Sequence, residues 1–390
     1  MTREWREYFL IWCLEMSEKV KNKGRLGTLV SFLCFAVTGL GCGIAVIPVI
    51  DYFMGKDSNF FIALMGLFLM LSLMYVAIFL EMAIHEMGHL VFGLLTGYKF
   101  VSYRVGSYTF IKEDGKLKIK KFTLPGTGGQ CLMAPPEYTT TMPYILYNAG
   151  GAIFNLISSL IFLLLFFPFS DIPFLSSFLL MAAFISFGLG TMNIIPLIYG
   201  NDGSNIANIH KSEMERKAFW AQMKMAQLQS ENIRLKDMPD EVFPVRSKEE
   251  VEGIMTSSAF AYYESYLVDR GEFEEALNIA KEVISSPLLV GVLRTAVKCD
   301  EIYTLLLLGR EKKEIDEIKD KKLIKEMKAM RGMLFVMRCE YAYALLYEGN
   351  VNKANEIRKA FDMAAETYPY VSEVEGERYL MDKALSLISK

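Results

Sequence analysis

Residues 61–95 read FIALMGLFLMLSLMYVAIFLEMAIHEMGHLVFGLL. From Phe61 to Leu80 there are 20 uncharged residues, enough to cross about 30 Å of hydrocarbon at about 1.5 Å per residue. Glu81, His85, Glu86 and His89 then follow without a helix breaker. A charge within a membrane helix is expensive and by default faces a bundle interior or a cavity. This one stretch therefore predicts a long membrane helix that carries a polar cluster on its final turns.

Three further segments reach spanning length, roughly Leu29 to Tyr52, Tyr144 to Phe167 and Phe174 to Tyr199. The fourth ends, like the second, in polar residues: Asn193, Pro196, Asn201 and Asp202. Entering from the same side, His85 lies about 36 Å along its helix and Asp202 about 42 Å along the other if that helix ran unbroken, so both clusters are expected at one face of the bilayer. Lysines and arginines give the orientation. Six precede the first span, Lys56 alone lies in the first loop, seven lie between Lys99 and Lys121, and the third loop has none. By the positive-inside rule, both termini and the long second loop are expected in the cytoplasm, with the chain an integral protein of a bacterial plasma membrane. Before the first span, Trp5, Phe9, Trp12 and Met16 recur at helical spacing, which predicts an interfacial amphipathic segment over 1–28 rather than a removable signal.

The 390 residues divide by charge. Residues 1–203 hold 14 Lys/Arg and 13 Asp/Glu, whereas 204–390 hold 28 and 32. With a net charge of −3, no general affinity for nucleic acid is expected. The six cysteines are far apart with no C-x-x-C pair, which argues against a disulfide scaffold or a thiolate metal knot and fits a reducing compartment.

His85-Glu86-Met87-Gly88-His89 is H-E-x-x-H. On a helix it sets two imidazoles on one face, one turn apart, with a carboxylate beside them. Two neutral nitrogens can bind Zn2+ while Glu86 takes a proton from water; solvated polar groups at a helix end are the plainer alternative. Zinc needs a third protein ligand and keeps a fourth position open. Asp202 is the natural candidate, since His210 lies in the polar segment beyond the last span.

These residues resemble the site-2 protease family of intramembrane zinc metalloproteases. The resemblance covers roughly residues 60–205. It rests on His85-Glu86-x-x-His89, on Asn193-Ile194-Ile195-Pro196 followed by Asp202-Gly203, and on Gly151-Ala152-Ile153-Phe154-Asn155, which is similar to the family's Gly-Pro-x-x-Asn element. It implies that His85, His89 and Asp202 bind zinc, that Glu86 is the general base, and that Asn155 and Asn193 hold the substrate backbone or stabilise the oxyanion. Asparagines in membrane helices also serve only to tie helices together. Two positions depart from the family pattern. Five residues rather than four separate Pro196 from Asp202, an excess that a turn at Gly200 would absorb, and Ala152 stands where proline is usual.

A peptide bond in a membrane helix is shielded by its own hydrogen bonds, so a scissile segment must unwind before water attacks it. Between Tyr98 and Phe122 the pattern alternates and turns at Asp114-Gly115, with Leu117 and Ile119 opposite Lys116, Lys118 and Lys120. This predicts a β-hairpin that either pairs with an unwound substrate or plugs the mouth of the site. Pro125-Gly126-Thr127-Gly128-Gly129-Gln130 and Pro135-Pro136 read as a flexible or re-entrant loop.

The expected organisation is a multi-span α-helical membrane domain over 29–203 with a small β-hairpin insertion, a linker and amphipathic segment over 204–246, and an all-α cytosolic domain over 247–390. In the last part, Gly271-x-Phe273-x-x-Ala276 and Gly349-x-Val351-x-x-Ala354 stand 78 residues apart with Gly309 between them. Paired helices with a period near 39 suggest tetratricopeptide-like repeats and a protein or peptide partner, with a partnerless helical bundle as the alternative. The leading functional reading is a zinc endopeptidase that cuts a membrane-spanning protein or peptide near its cytoplasmic side. An inactive membrane-anchored scaffold is the alternative. A transporter fits less well, because paired broken helices are not evident, and self-association is left open.

Overall fold

The computed structural model describes residues 24–54, 60–113, 116–122, 127–197, 200–289 and 291–388. The amphipathic segment expected before the first span lies outside the described residues, apart from its last few positions. Four helical stretches are long and apolar enough to cross a membrane: Leu26–Tyr52, Leu64–Leu95, Ile145–Phe169 and Pro173–Ile194. The first is α1 (Gly24–Ala45) followed by α2 (Ile47–Met54), interrupted next to Pro48, whose missing N–H cannot continue the ladder. The second is α3 (Phe60–Leu95), unbroken through the H-E-x-x-H residues. After α4 (Ile145–Phe166) comes α5 (Pro173–Ile194). It ends five residues short of the expected Tyr199, because Pro196 drives Ile195 into an extended conformation (φ −77°, ψ 116°).

Small and hydroxylated residues set how these helices cross. Gly88 of α3 and Gly150 of α4 press their backbones together, with no room for a Cβ on either side. The Ser159 hydroxyl donates to the Ala183 carbonyl at 2.8 Å, and Ser186 to the Asn155 carbonyl at 2.7 Å, tying α4 to α5. Such pairs matter in lipid, where apolar contact alone distinguishes poorly between a helix and a lipid tail.

The insertion after α3 is a four-stranded antiparallel sheet in the order β3-β2-β1-β4, made of β1 (Lys99–Val105), β2 (Tyr108–Glu113), β3 (Lys116–Lys121) and β4 (Gly129–Ala134). The expected hairpin is β2–β3, in register from Tyr108 opposite Lys121 to Glu113 opposite Lys116. Leu117 and Ile119 do not face a core; each is 64 % exposed at the sheet's edge. The glycine-rich segment read as a loop instead supplies the edge strand β4, paired with β1. Tyr103 of β1 anchors the sheet to α3 by donating to the Ala83 carbonyl at 2.6 Å, two residues before His85.

Beyond α5 come α6 (Asp202–Ile209) and α7 (Glu213–Ser230). A helical stretch then runs through α8 (Ile254–Arg270), α9 (Phe273–Ser285), α10 (Gly291–Leu307), α11 (Lys312–Ile318), α12 (Lys321–Ala329), α13 (Leu334–Ala342), a π-turn at Tyr343–Tyr347, α14 (Val351–Ala365) and α15 (Val371–Ser386). Gly271, Gly309 and Gly349 each lie between one helix and the next with φ of 81°, 63° and 66°, a left-handed conformation that glycine adopts without the Cβ penalty.

The helical stretch is docked on the sheet. One continuous cluster of buried side chains joins Tyr98, Cys131, Met133 and Tyr147 to Phe219, Phe260, Tyr303 and Phe361. Trp220 donates to the Pro136 carbonyl at 2.9 Å, Phe122 meets Tyr368 edge-on at 5.1 Å, and the Ser372 hydroxyl donates to the Gln229 carbonyl at 3.1 Å. Burial of aromatic area of this kind is worth roughly 1.5–3 kcal/mol per side chain, so the two halves hold one another in place.

Candidate metal centre

The site starts with the helical repeat of α3. His85 and His89 are one turn apart, and their Nε2 atoms lie 3.2 Å from each other. Each ring is fixed from behind. The Nδ1 of His89 donates to the Tyr147 carbonyl at 2.8 Å, an oxygen that can only accept. The Nδ1 of His85 lies 2.7 Å from Asn155 Oδ1. The orientation of that amide is set by its other end, where Nδ2 donates to the Glu81 carbonyl at 3.1 Å and to Glu81 Oε2 at 3.0 Å. An imidazole that is neutral and protonated at Nδ1 turns a bare Nε2 lone pair inward at either position.

The third member arrives from the end of α5. Gly200, at φ 78°, reverses the chain and takes up the extra residue between Pro196 and Asp202. Asn201 then locks the turn: its Nδ2 donates to the Ile195 carbonyl at 2.8 Å, and its Oδ1 caps α6 by accepting from Ser204 N at 2.7 Å. Gly203 sits against the Ile194 carbonyl, where a Cβ would not fit. Asp202 is thereby placed on the first turn of α6, with Oδ2 3.2 Å from His85 Nε2 and 3.5 Å from His89 Nε2.

The donor set fits a cation. Candidate ligand atoms of His85, His89 and Asp202 lie within 4.8 Å of one another, and buried Asp202 Oδ2 faces the two Nε2 atoms. Three converging lone pairs repel one another unless a positive charge sits among them. Space is kept by Gly151: a Cβ there would come within 2.5 Å of His85 Cε1 and 2.6 Å of both Nε2 atoms. Two nitrogens and one carboxylate oxygen beside a cavity are a donor set that could hold a metal ion.

Glu86 lines the same cavity as the triad and is held against the first residue of β4; a Cβ on Gly129 would stand 2.6 Å from Glu86 Oε1. Arg104 of β1 steadies that strand, donating to the Gly129 carbonyl at 3.2 Å and to the Thr127 hydroxyl. The asparagines are placed differently from each other. Asn155 touches His85 and orients it, whereas Asn193 donates to the Leu189 carbonyl of its own helix at 3.0 Å; neither is among the described residues that line the cavity. His210 pairs with the Tyr144 hydroxyl at 2.9 Å, away from the triad.

Sequence reading missed the support behind the ligands. Glu81 is fully buried, receives hydrogen bonds from Asn155 and from Ser158 at 2.9 Å, and lies against the Ser186 hydroxyl. The chain Glu81–Asn155–His85 is the kind of support that usually stands behind a metal-binding histidine. Its signal was in the sequence, because Glu81 lies one turn before His85 on the same face of the helix. Asn155→Ala is expected to weaken metal affinity roughly 10–100-fold while leaving the helices folded. Competition against a graded chelator series measures this, and an unchanged affinity would remove Asn155 from the ligand support. No family model, curated protein or solved structure matches this chain.

Proposed function

We propose that the chain is a zinc-dependent endopeptidase of the site-2 type, cleaving a membrane-embedded protein or peptide near the cytoplasmic side. The observation that carries this reading is the convergence of His85, His89 and Asp202 at the end of membrane-length helices, with Glu86 in the same cavity. Packing alone needs no such set of lone pairs, so the site favours the enzyme over the scaffold.

His85 and His89 would hold zinc through Nε2 and Asp202 through Oδ2. Bound there, zinc supplies a Lewis acid for a scissile carbonyl and makes water a stronger acid. The remaining steps belong to the protein. The Glu86 carboxylate takes a proton from the attacking water and passes it to the leaving nitrogen. Gly129 lets β4 lie close beside Glu86. Asn155 and the Tyr147 carbonyl hold the two imidazoles in the tautomer that leaves Nε2 bare.

The test is cleavage of a single-span helical peptide reconstituted with the purified chain. Treatment with 1,10-phenanthroline should stop product formation, and zinc added in slight excess should restore it. Cleavage that continues after complete metal removal contradicts the reading.

A further inference from the structure

The cavity that holds the triad does not end there. It has a volume of about 770 Å³ and continues past α7 into the helical stretch, a size typical of sites that enclose a ligand. Its far wall is charged. Asp269 of α8, Asp300 of α10, and Glu373 and Glu377 of α15 line it, against the guanidiniums of Arg234 and Arg338. Arg338 is 1 % exposed and binds Glu377 Oε2 through Nε at 2.5 Å, with Nη2 on Asp300. Arg234 Nη2 binds Asp269 at 2.5 Å. Glu373 accepts the Tyr368 hydroxyl at 2.6 Å.

Four carboxylates facing two guanidiniums leave the wall short of positive charge, and buried charge is costly when unpaired. Burial pushes the Glu373 carboxyl up to about 7, with Glu377 adding to the effect; the Glu377 carboxyl is likewise raised by burial. One donor on this wall is also left without a partner: the buried Arg338 Nη1 lacks an acceptor. A simple cation would serve the lining carboxylates and not this donor. A peptide with a basic side chain answers both needs, offering a backbone carbonyl to the guanidinium and an ammonium or guanidinium to the carboxylates.

We propose that this end of the cavity is a subsite for a lysine or arginine side chain of a peptide whose backbone extends toward the triad. The inference rests on the endopeptidase reading and names its substrate class. Membrane proteins carry excess lysine and arginine on the cytoplasmic flank of their spans, so a segment emerging from the bilayer beside the triad brings the required charge. The helical stretch then takes part in choosing the substrate, since the subsite lies within it while the triad lies in the membrane half.

Binding is read without turnover, using the full-length Glu86→Gln chain loaded with zinc in zwitterionic detergent at pH 8, where Glu373 is ionised. Three fluorescein-labelled, N-acetylated hexapeptides with central Lys-Lys, Ala-Ala or Glu-Glu are titrated and followed by anisotropy. The lysine peptide is expected to bind at least tenfold more tightly than the glutamate peptide. Glu373→Gln, which disturbs no arginine pair, should shrink that preference at least threefold. Equal binding of the three peptides, absence of binding to folded chain, or a preference that Glu373→Gln leaves intact would each overturn the subsite. A chain that prefers the lysine peptide but never cleaves a membrane substrate would instead overturn the endopeptidase reading alone.

Discussion

Glu86→Gln is expected to abolish cleavage almost completely, lowering turnover roughly 10²–10⁴-fold, while the protein keeps its metal. Glutamine has nearly the same shape, so it preserves the close packing against Gly129, but it cannot accept a proton from water. Glu86 is also not among the three converging ligands, and its loss leaves both imidazoles and Asp202 in place. Turnover of a reconstituted membrane substrate and zinc content of the same preparation should therefore separate, with the first lost and the second retained. A variant that cuts at the native rate removes Glu86 from the role of base. One that loses zinc as well as activity would instead make Glu86 part of the metal site.

The ligands themselves should behave in the opposite way. His89→Ala removes one of two nitrogens whose Nε2 atoms stand 3.2 Å apart, and Asp202→Ala removes the only carboxylate in the triad. Even residues behind the ligands are worth roughly 10–100-fold in affinity, so loss of a ligand should leave the site essentially empty at micromolar zinc. Gly151→Ala reaches the same result by occupying space, since its Cβ would lie 2.5–2.6 Å from the imidazole edges. Gly39→Ala in α1, where a Cβ meets nothing within 4 Å, is the control for adding a methyl group to a membrane helix.

The residues that were legible in the sequence are those whose relation is local. His85 and His89 share a helix face by spacing alone with Glu86 beside them, and counting residues along a second span puts Asp202 at their level. Gly200 announced the turn that absorbs the extra residue before Asp202. What the sequence left hidden depends on partners far along the chain. Glu81 and Asn155 are 74 residues apart, and nothing in their neighbourhoods says that one orients the other. The β4 strand was concealed by its glycines, which read as loop, because Gly129 answers to the close approach of Glu86 rather than to strand propensity. Periodicity identified the helices beyond residue 205 but not what their apolar faces cover; Trp220 and Tyr368 turn out to bury against Pro136 and Phe122 of the membrane half.

Metal content is the most direct test of the account. Full-length protein is purified in detergent from zinc-replete cells without chelators, and zinc per chain is determined by mass spectrometry for the native sequence, His89→Ala and Asp202→Ala. The account predicts about one zinc per native chain, as a three-ligand site with an open position requires, and almost none in either variant. A native chain that is folded yet holds no zinc, or an Asp202→Ala chain that retains a full complement, would contradict it.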